Sequence, residues 1–330
     1  MPDERPQLAP NWTSAAGAVE GILAHLGAPL PRHAIMGLTA LAWHTCLGTR
    51  GGVTALPSGP ADVDWERVIR ALGRTGFTWE RFGAELGHGA DWSEMRATAV
   101  RWATAHLDAA RPLVGWDFHL HEFAVVYGYD HVREGFLVDD VLSEEVGPFF
   151  PWRDWPSAVG RIEFWAPVAP REDEAAEAVA GAMADAAAAF AGDDGREDGQ
   201  PRGTAALDAW AEALDGAGEI DRAGNAYTIQ VLQAARLDGA AFLRDVADAL
   251  PALSEPLGRA ARATGDETKA LSPLITLFPF PTGGHGNVNS PGLRRAAAMA
   301  LRRAATHERS AAGAIAEALD ILVAAGVAPP

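Results

Sequence analysis

The spacing of apolar positions changes character twice along the chain. Over residues 14–26, 65–74 and 92–107 apolar side chains recur three to four apart, which predicts three helices that each bury one face. The spacing then shortens. Residues 112–117, 122–129, 135–140 and 161–166 are compact apolar runs bounded by Gly, Pro or Asp, as expected of neighbouring strands in one antiparallel sheet. Helical spacing returns over 170–190 and yields to AGDDGREDGQPRG (191–203), which reads as a linker or disordered loop. It resumes over 204–214, 225–250, 254–277 with a break near Pro273, and 291–325 with a break around Ala305. Ser290 followed by Pro291 supplies an N-cap and a first helical position for the last segment. The pattern predicts an α+β protein: helices followed by an antiparallel sheet in residues 1–168, an acidic helix and linker over 169–203, and an all-helical domain over 204–330.

Composition sharpens that division. Ten of the eleven tryptophans precede residue 170 and only Trp210 follows, so the two halves have different cores. With 330 residues and 48% hydrophobic content, the chain has apolar surface for both. It contains no run of eighteen apolar residues, and MPDERPQLAP at the N-terminus has neither a basic nor an apolar leader segment. The lone cysteine, Cys46, leaves no internal disulfide or cysteine-based zinc site, reads as a small buried hydrophobe, and fits a reducing compartment. A cytoplasmic location is expected. The net charge of −17 argues against nucleic-acid and acidic-membrane partners, both of which need a cationic face. Residues 169–200 alone hold nine carboxylates against Arg171 and Arg196.

Two stretches carry the candidate chemistry: NWTSAAGAVEGILAHLG (11–27) and PLVGWDFHLHEFAVVYGYDHVREGFLVDD (112–140). The first resembles the nucleophile helix of bacteriocin-processing peptidase domains and of the butirosin biosynthesis protein H family, in which a cysteine opens a helix ending thirteen residues later in Leu/Tyr-Gly. Counted back from Gly27, that position is Ser14. The second, above all Val125-Val126-Tyr127-Gly128-Tyr129-Asp130, resembles the strand bearing those families' catalytic histidine, and the matched position is Glu122. MGLTALAWHTC (36–46) is similar to a glycine-containing stretch of the butirosin group. The resemblance covers about residues 11–166. It implies a papain-like fold in which the Cys–His pair has been replaced, and it matches the family's third polar residue to Asp139 or Asp140.

A thiolate and an imidazole are what papain-like chemistry requires, and Ser14 and Glu122 supply neither. What remains is carboxylate: Glu122, Asp139, Asp140 and Asp117 are the candidate acid/base groups, with Ser14, Trp12, Asn11, Trp116, Tyr127 and His121 as candidate substrate-binding residues. Carboxylates gathered beside aromatic rings repel one another and hold a proton more tightly, which suits proton removal from an ammonium or hydroxyl. As neighbours on a strand, His121 and Glu122 are expected to point to opposite faces, with a one-residue bulge as the alternative that brings His121 back. His119 and His121 form a His-x-His pair, but no further ligand motif supports a metal, and no cofactor is expected. PTGGHGN (281–287) lacks the Lys-Ser/Thr of a phosphate-binding P-loop and reads as a flexible loop. The last helical segment carries Arg294, Arg295, Arg302, Arg303 and Arg309, of which the first four fall on one side, as a solvated face, paired with the protein's own acids, or facing an acidic partner.

Three functions fit these residues. The first is a specialised-metabolite enzyme using carboxylate acid/base chemistry on a carrier-tethered or small-molecule substrate. The resemblance makes this most specifically an aziridine-forming cyclase of azinomycin-type pathways, in which an amine displaces a sulfate or phosphate installed by a partner sulfotransferase or kinase. The second is an acyl or aminoacyl transferase of the butirosin H type. The third is a non-catalytic subunit that binds a carrier protein or a partner enzyme.

Overall fold

The computed structural model describes residues 5–56, 63–85, 91–156, 160–172, 174–193, 198–281, 288 and 290–327. In chain order the elements begin with α1 (Ser14–His25), α2 (Arg32–Leu38), β1 (Gly48–Arg50), β2 (Val53–Leu56), α3 (Trp65–Leu72), β3 (Phe77–Glu85) and α4 (Ser93–Asp108). Next come β4 (Leu113–Trp116), β5 (Phe123–Asp130), β6 (Gly135–Asp139), α5 (Ser143–Val146), β7 (Phe149–Pro151) and β8 (Arg161–Pro170). The remainder is α6 (Ala175–Ala191), α7 (Thr204–Asp215), β9 (Glu219–Ile220), α8 (Arg222–Ala249), α9 (Ser254–Leu277) and α10 (Pro291–Ala324). The protein is mixed α+β with a helical C-terminal region. It divides into two compact units, Met1–Ile35 with Thr75–Glu172, and Met36–Arg74 with Asp173–Pro330. The units therefore interleave: residues 36–74, which lie within the predicted N-terminal domain, group with the helical residues.

The first unit is built on a six-stranded antiparallel sheet in the order β3-β8-β4-β5-β6-β7. The predicted strands all belong to it. β5 is apolar at successive positions, FAVVY, because both faces of the sheet are covered. Ala124 and Val126 join a core with Ala99 and Ala103 of α4 and with Phe136, Phe164 and Trp155. Phe123 and Val125 are buried on the other side, and α1 packs along β4 and β5. The strand β3 had no counterpart in the sequence pattern. Its apolar positions change phase, from Phe77 and Trp79 to Phe82 and Ala84, and its ladder with β8 is irregular between Thr78 and Trp79.

In the second unit, α10 packs against α6, α7 and α9, and α9 against α8. A small sheet, β1-β2-β9, accompanies them, with β1 antiparallel and β9 parallel to β2. The two expected helix breaks do not occur. Pro273 lies inside α9 on an exposed position, so the carbonyl left without its donor is one turn earlier on an exposed surface. Ala304 and Ala305 are fully buried in a continuous α10, as the best helix former allows. Ser290 does take the N-cap position, with extended backbone, but its hydroxyl makes no capping hydrogen bond. Residues 194–197 and 282–287 lie outside the described residues, and with them most of the predicted glycine-rich loop and part of the acidic linker. Among the described residues no helix is long and apolar enough to cross a membrane.

Candidate functional site

The site lies in the first unit, where the N-terminus of α1 meets the connection between β4 and β5. These strands pair from Trp116 opposite Phe123, which leaves residues 117–122 as a hairpin loop. Phe118 anchors the loop from below: it is buried, parallel to Trp155 with ring centres 6.0 Å apart, and close enough to Gly115 that a Cβ there would stand 2.7 Å from its ring. Asp117 closes the loop with φ at +71° and an N–H donated to the Glu122 carbonyl at 3.1 Å. A left-handed aspartate stores backbone strain, which the surrounding packing has to hold.

Ser14, the first residue of α1, is only 6% exposed. Its hydroxyl donates to Glu122 Oε2 and accepts the Phe123 N–H at 3.0 Å. The two residues matched by the resemblance are thus joined through their side chains, although 108 positions separate them in the chain. Asn11 fixes the approach to the helix by accepting the Thr13 N–H through Oδ1 at 2.9 Å. Trp12, beside it, is 39% exposed.

The other carboxylates do not form one repelling cluster, because each has its own donor. Asp117, almost fully buried, is hydrogen-bonded to His121 Nδ1 at 2.5 Å, and the histidine side chain is 61% exposed. Asp140 holds His119 Nδ1 at 2.8 Å through Oδ2, while Oδ1 accepts the Ser143 hydroxyl at 2.9 Å and the Leu142 N–H at 3.0 Å. Asp139 Oδ2 accepts the Leu8 N–H at 2.7 Å. Of the two aspartates left open by the sequence, Asp140 is the buried one that orients an imidazole, and Asp139 fastens the N-terminal segment. Tyr127 accepts from Arg5 at 3.1 Å and belongs to that same fastening. Trp116 stacks obliquely on Phe123, ring centres 4.9 Å apart, and its carbonyl accepts the Trp155 indole N–H at 2.9 Å.

Strand alternation does not govern His121, because the strand begins only at Phe123. The two aspartate–histidine pairs were not visible as pairs in the sequence. Their trace was the pattern Asp-x-His-x-His-Glu, whose third residue is oriented by an aspartate 21 positions on and whose fifth by its own first. The two imidazoles turn to different carboxylates, and among the described residues no group of three or more His, Cys, Asp or Glu side chains is placed to hold a metal ion.

A cavity of about 620 Å³ lies in the second unit, between the end of α7 and the start of α10, lined by residues 214–219 with Pro291, Arg294 and Arg295. It has no comparable chemistry. Arg294 donates to the carbonyls of Ala213, Leu214 and Gly218 at 2.6–2.9 Å, which satisfies the C-terminal turn of α7. Arg302 pairs with Asp215 at 2.5 Å and Arg309 with Asp208 at 2.8 Å. Three of the five arginines of α10 therefore serve the protein's own helix α7. No protein-family model matches the chain, and no curated protein matches it in sequence.

Proposed function

We propose that this chain is a biosynthetic enzyme in which Glu122 removes a proton from the amine of a small or carrier-tethered substrate. The amine then displaces a sulfate or phosphate from a neighbouring carbon of the same molecule, in an aziridine-type cyclisation. The observation that carries this reading is the hydrogen bond from the Ser14 hydroxyl to Glu122 at the first turn of α1, flanked by two oriented aspartate–histidine pairs. The resemblance of residues 11–166 to papain-like domains supports it by assigning the same two positions to the reacting centre.

The step needs no thiol. Glu122 takes one ammonium proton; the freed nitrogen lone pair forms the C–N bond while the C–O bond breaks, and the anion departs with its electron pair. The ring nitrogen then releases its second proton to solvent. The protein's contribution is to fold the substrate, hold the base beside the amine and keep Glu122 oriented through Ser14. A sulfotransferase or kinase working upstream supplies the leaving group.

The test is release of inorganic sulfate from a sulfated vicinal amino alcohol, followed with the purified chain. Glu122→Gln is expected to lower turnover by about 10²–10⁴-fold with unchanged circular dichroism, whereas Ser14→Ala lowers it less, because only the orientation of the base is lost. Full activity in Glu122→Gln overturns the reading. A second reading follows from the same bond, since a serine that donates to a carboxylate is also the arrangement of an activated nucleophile. In that acyl or aminoacyl transferase, Ser14→Ala abolishes turnover and the wild type accumulates a covalent acyl adduct at Ser14. A folded wild type that binds a carrier protein or partner enzyme but turns over neither class of substrate favours the non-catalytic subunit.

A further inference from the structure

The second unit contains a buried charge cluster that none of this chemistry uses. Arg236 of α8 is completely buried and lies between Glu267 of α9 and Glu308 of α10, both also at zero exposure. Its Nε donates to Glu267 Oε1 at 2.9 Å, one terminal nitrogen donates to Glu308 Oε1 and to Thr45 Oγ1 at 2.6 Å, and the other donates to the Ala42 carbonyl. One guanidinium thus ties three helices to residues 42–45. Its charge is balanced by one carboxylate, yet two are present.

The second oxygens are the telling feature. Glu267 Oε2 and Glu308 Oε2 are both buried without a hydrogen-bond partner. A buried carboxylate oxygen with no donor costs the full desolvation of that atom, and two ionised groups would leave one uncompensated negative charge in the interior. A single proton removes the uncompensated charge. We propose that Glu267 carries a proton at neutral pH on its second oxygen, so that the cluster with Arg236 and Glu308 is neutral, and that loss of this proton at alkaline pH loosens the helical unit. The cluster would then act as a built-in pH sensor of stability, independent of the reaction proposed above.

The surrounding charges agree. Burial, opposed by Arg236 and reinforced by Glu308, pushes the Glu267 carboxyl up to about 8. Burial works to lower Arg236, but the two carboxylates outweigh it and raise it above its ordinary value. His44, beside the same guanidinium, is lowered to about 3 by burial and by Arg67, Arg236 and Arg202, and so adds no positive charge that would relieve the pair. Because the folded-state value of Glu267 is raised, its contribution to stability is complete below the unfolded value and is lost as pH rises through about 8.

Cys46, the only cysteine, is buried next to Thr45 and reports on this unit. The full chain, equilibrated in urea at pH 6 to 9, is exposed to a brief pulse of methanethiosulfonate, and the fraction of protected Cys46 is measured. For the wild type the unfolding constant is expected to rise about tenfold per pH unit between 6 and 8 and to level off above that. Glu267→Gln keeps an acceptor for Arg236 and places an amide N–H where the proton stood. It is therefore expected to remove this slope and to exceed the wild type in stability at pH 9. A flat wild-type profile overturns the proposal, as does a variant that keeps the slope. Should the variant fail to fold, infrared spectroscopy of the wild type decides: a carbonyl band of a buried, protonated carboxyl present at pH 6.5 and gone at pH 9.5 is expected, and its absence at pH 6.5 refutes the proton on Glu267.

Discussion

The two units each bury an arginine–carboxylate cluster, and the clusters are mirror images. In the first unit one carboxylate, Glu163, sits between two arginines: Arg81 reaches it at 2.6 and 2.9 Å and Arg161 at 2.9 and 3.3 Å, with the Trp165 indole as a further donor at 2.7 Å. In the second, one arginine sits between two carboxylates. The difference lies in the ends. The arginine side chains flanking Glu163 retain 30% and 17% exposure, so surplus positive charge is shared with water. Glu267 and Glu308 have no such outlet at zero exposure. Long cationic side chains bury a stem and keep the head wet, which a glutamate cannot do over the same distance. Surplus charge of one sign is tolerated where it can reach solvent, and elsewhere it has to be neutralised by a proton.

Removing the central residue breaks the comparison most severely in the second unit. Arg236→Met fills similar volume but leaves two buried carboxylates without their guanidinium, and leaves Thr45 and the Ala42 carbonyl without a donor. The expected loss is about 3–5 kcal/mol in urea unfolding followed by Cys46 protection, the range found when one partner of a buried ion pair is removed. The loss should be larger at pH 8 than at pH 6, since the remaining carboxylates then have neither counter-ion nor proton. A loss below about 1 kcal/mol would mean that water already reaches the cluster.

This cluster left no trace in the sequence. Arg236 is one of three arginines in a 28-residue helix, and its partners lie 31 and 72 positions away on two other helices. No local period links them, and an arginine on a helix reads by default as part of a solvated face. The start of α1 at Ser14 and the apolar run of β5 were legible, because period and punctuation are local properties. The pairing of Ser14 with Glu122 was reachable through the resemblance, which carries positions across long separations. The orientation of His121 was not, since the pleat ends at Phe123 and the left-handed turn at Asp117 is a conformation that a non-glycine residue does not announce. β3 escaped for a related reason: its apolar positions change phase between Trp79 and Phe82, so no single alternation runs through it.

The first unit responds more mildly to loss of its centre. Glu163→Gln removes the negative charge and turns an amide toward one arginine, and the expected cost is about 1–3 kcal/mol, the worth of hydrogen bonds to a charged group. Arg81 and Arg161 are partly exposed and can rehydrate after small rotations, which is why the loss stays below that of Arg236→Met. Thermal unfolding monitored by near-ultraviolet circular dichroism, dominated by the tryptophans of this unit, measures it. Equal losses in the two variants would erase the distinction drawn from exposure.

The smallest effect sharpens the point. Trp165→Phe keeps an aromatic ring against Phe123, whose centre is 4.8 Å away, and deletes only the indole donor to Glu163 Oε1. That oxygen still accepts from Arg81 Nε at 2.6 Å, so no buried acceptor is orphaned. The expected cost is therefore at the low end of a single hydrogen bond, about 0.5–1 kcal/mol, with no pH dependence between 6 and 9. The contrast with Glu267 is direct, because there the missing partner is the proton itself. If Trp165→Phe instead costs as much as Glu163→Gln, the indole is an essential donor to Glu163, and the first cluster is as finely balanced as the second.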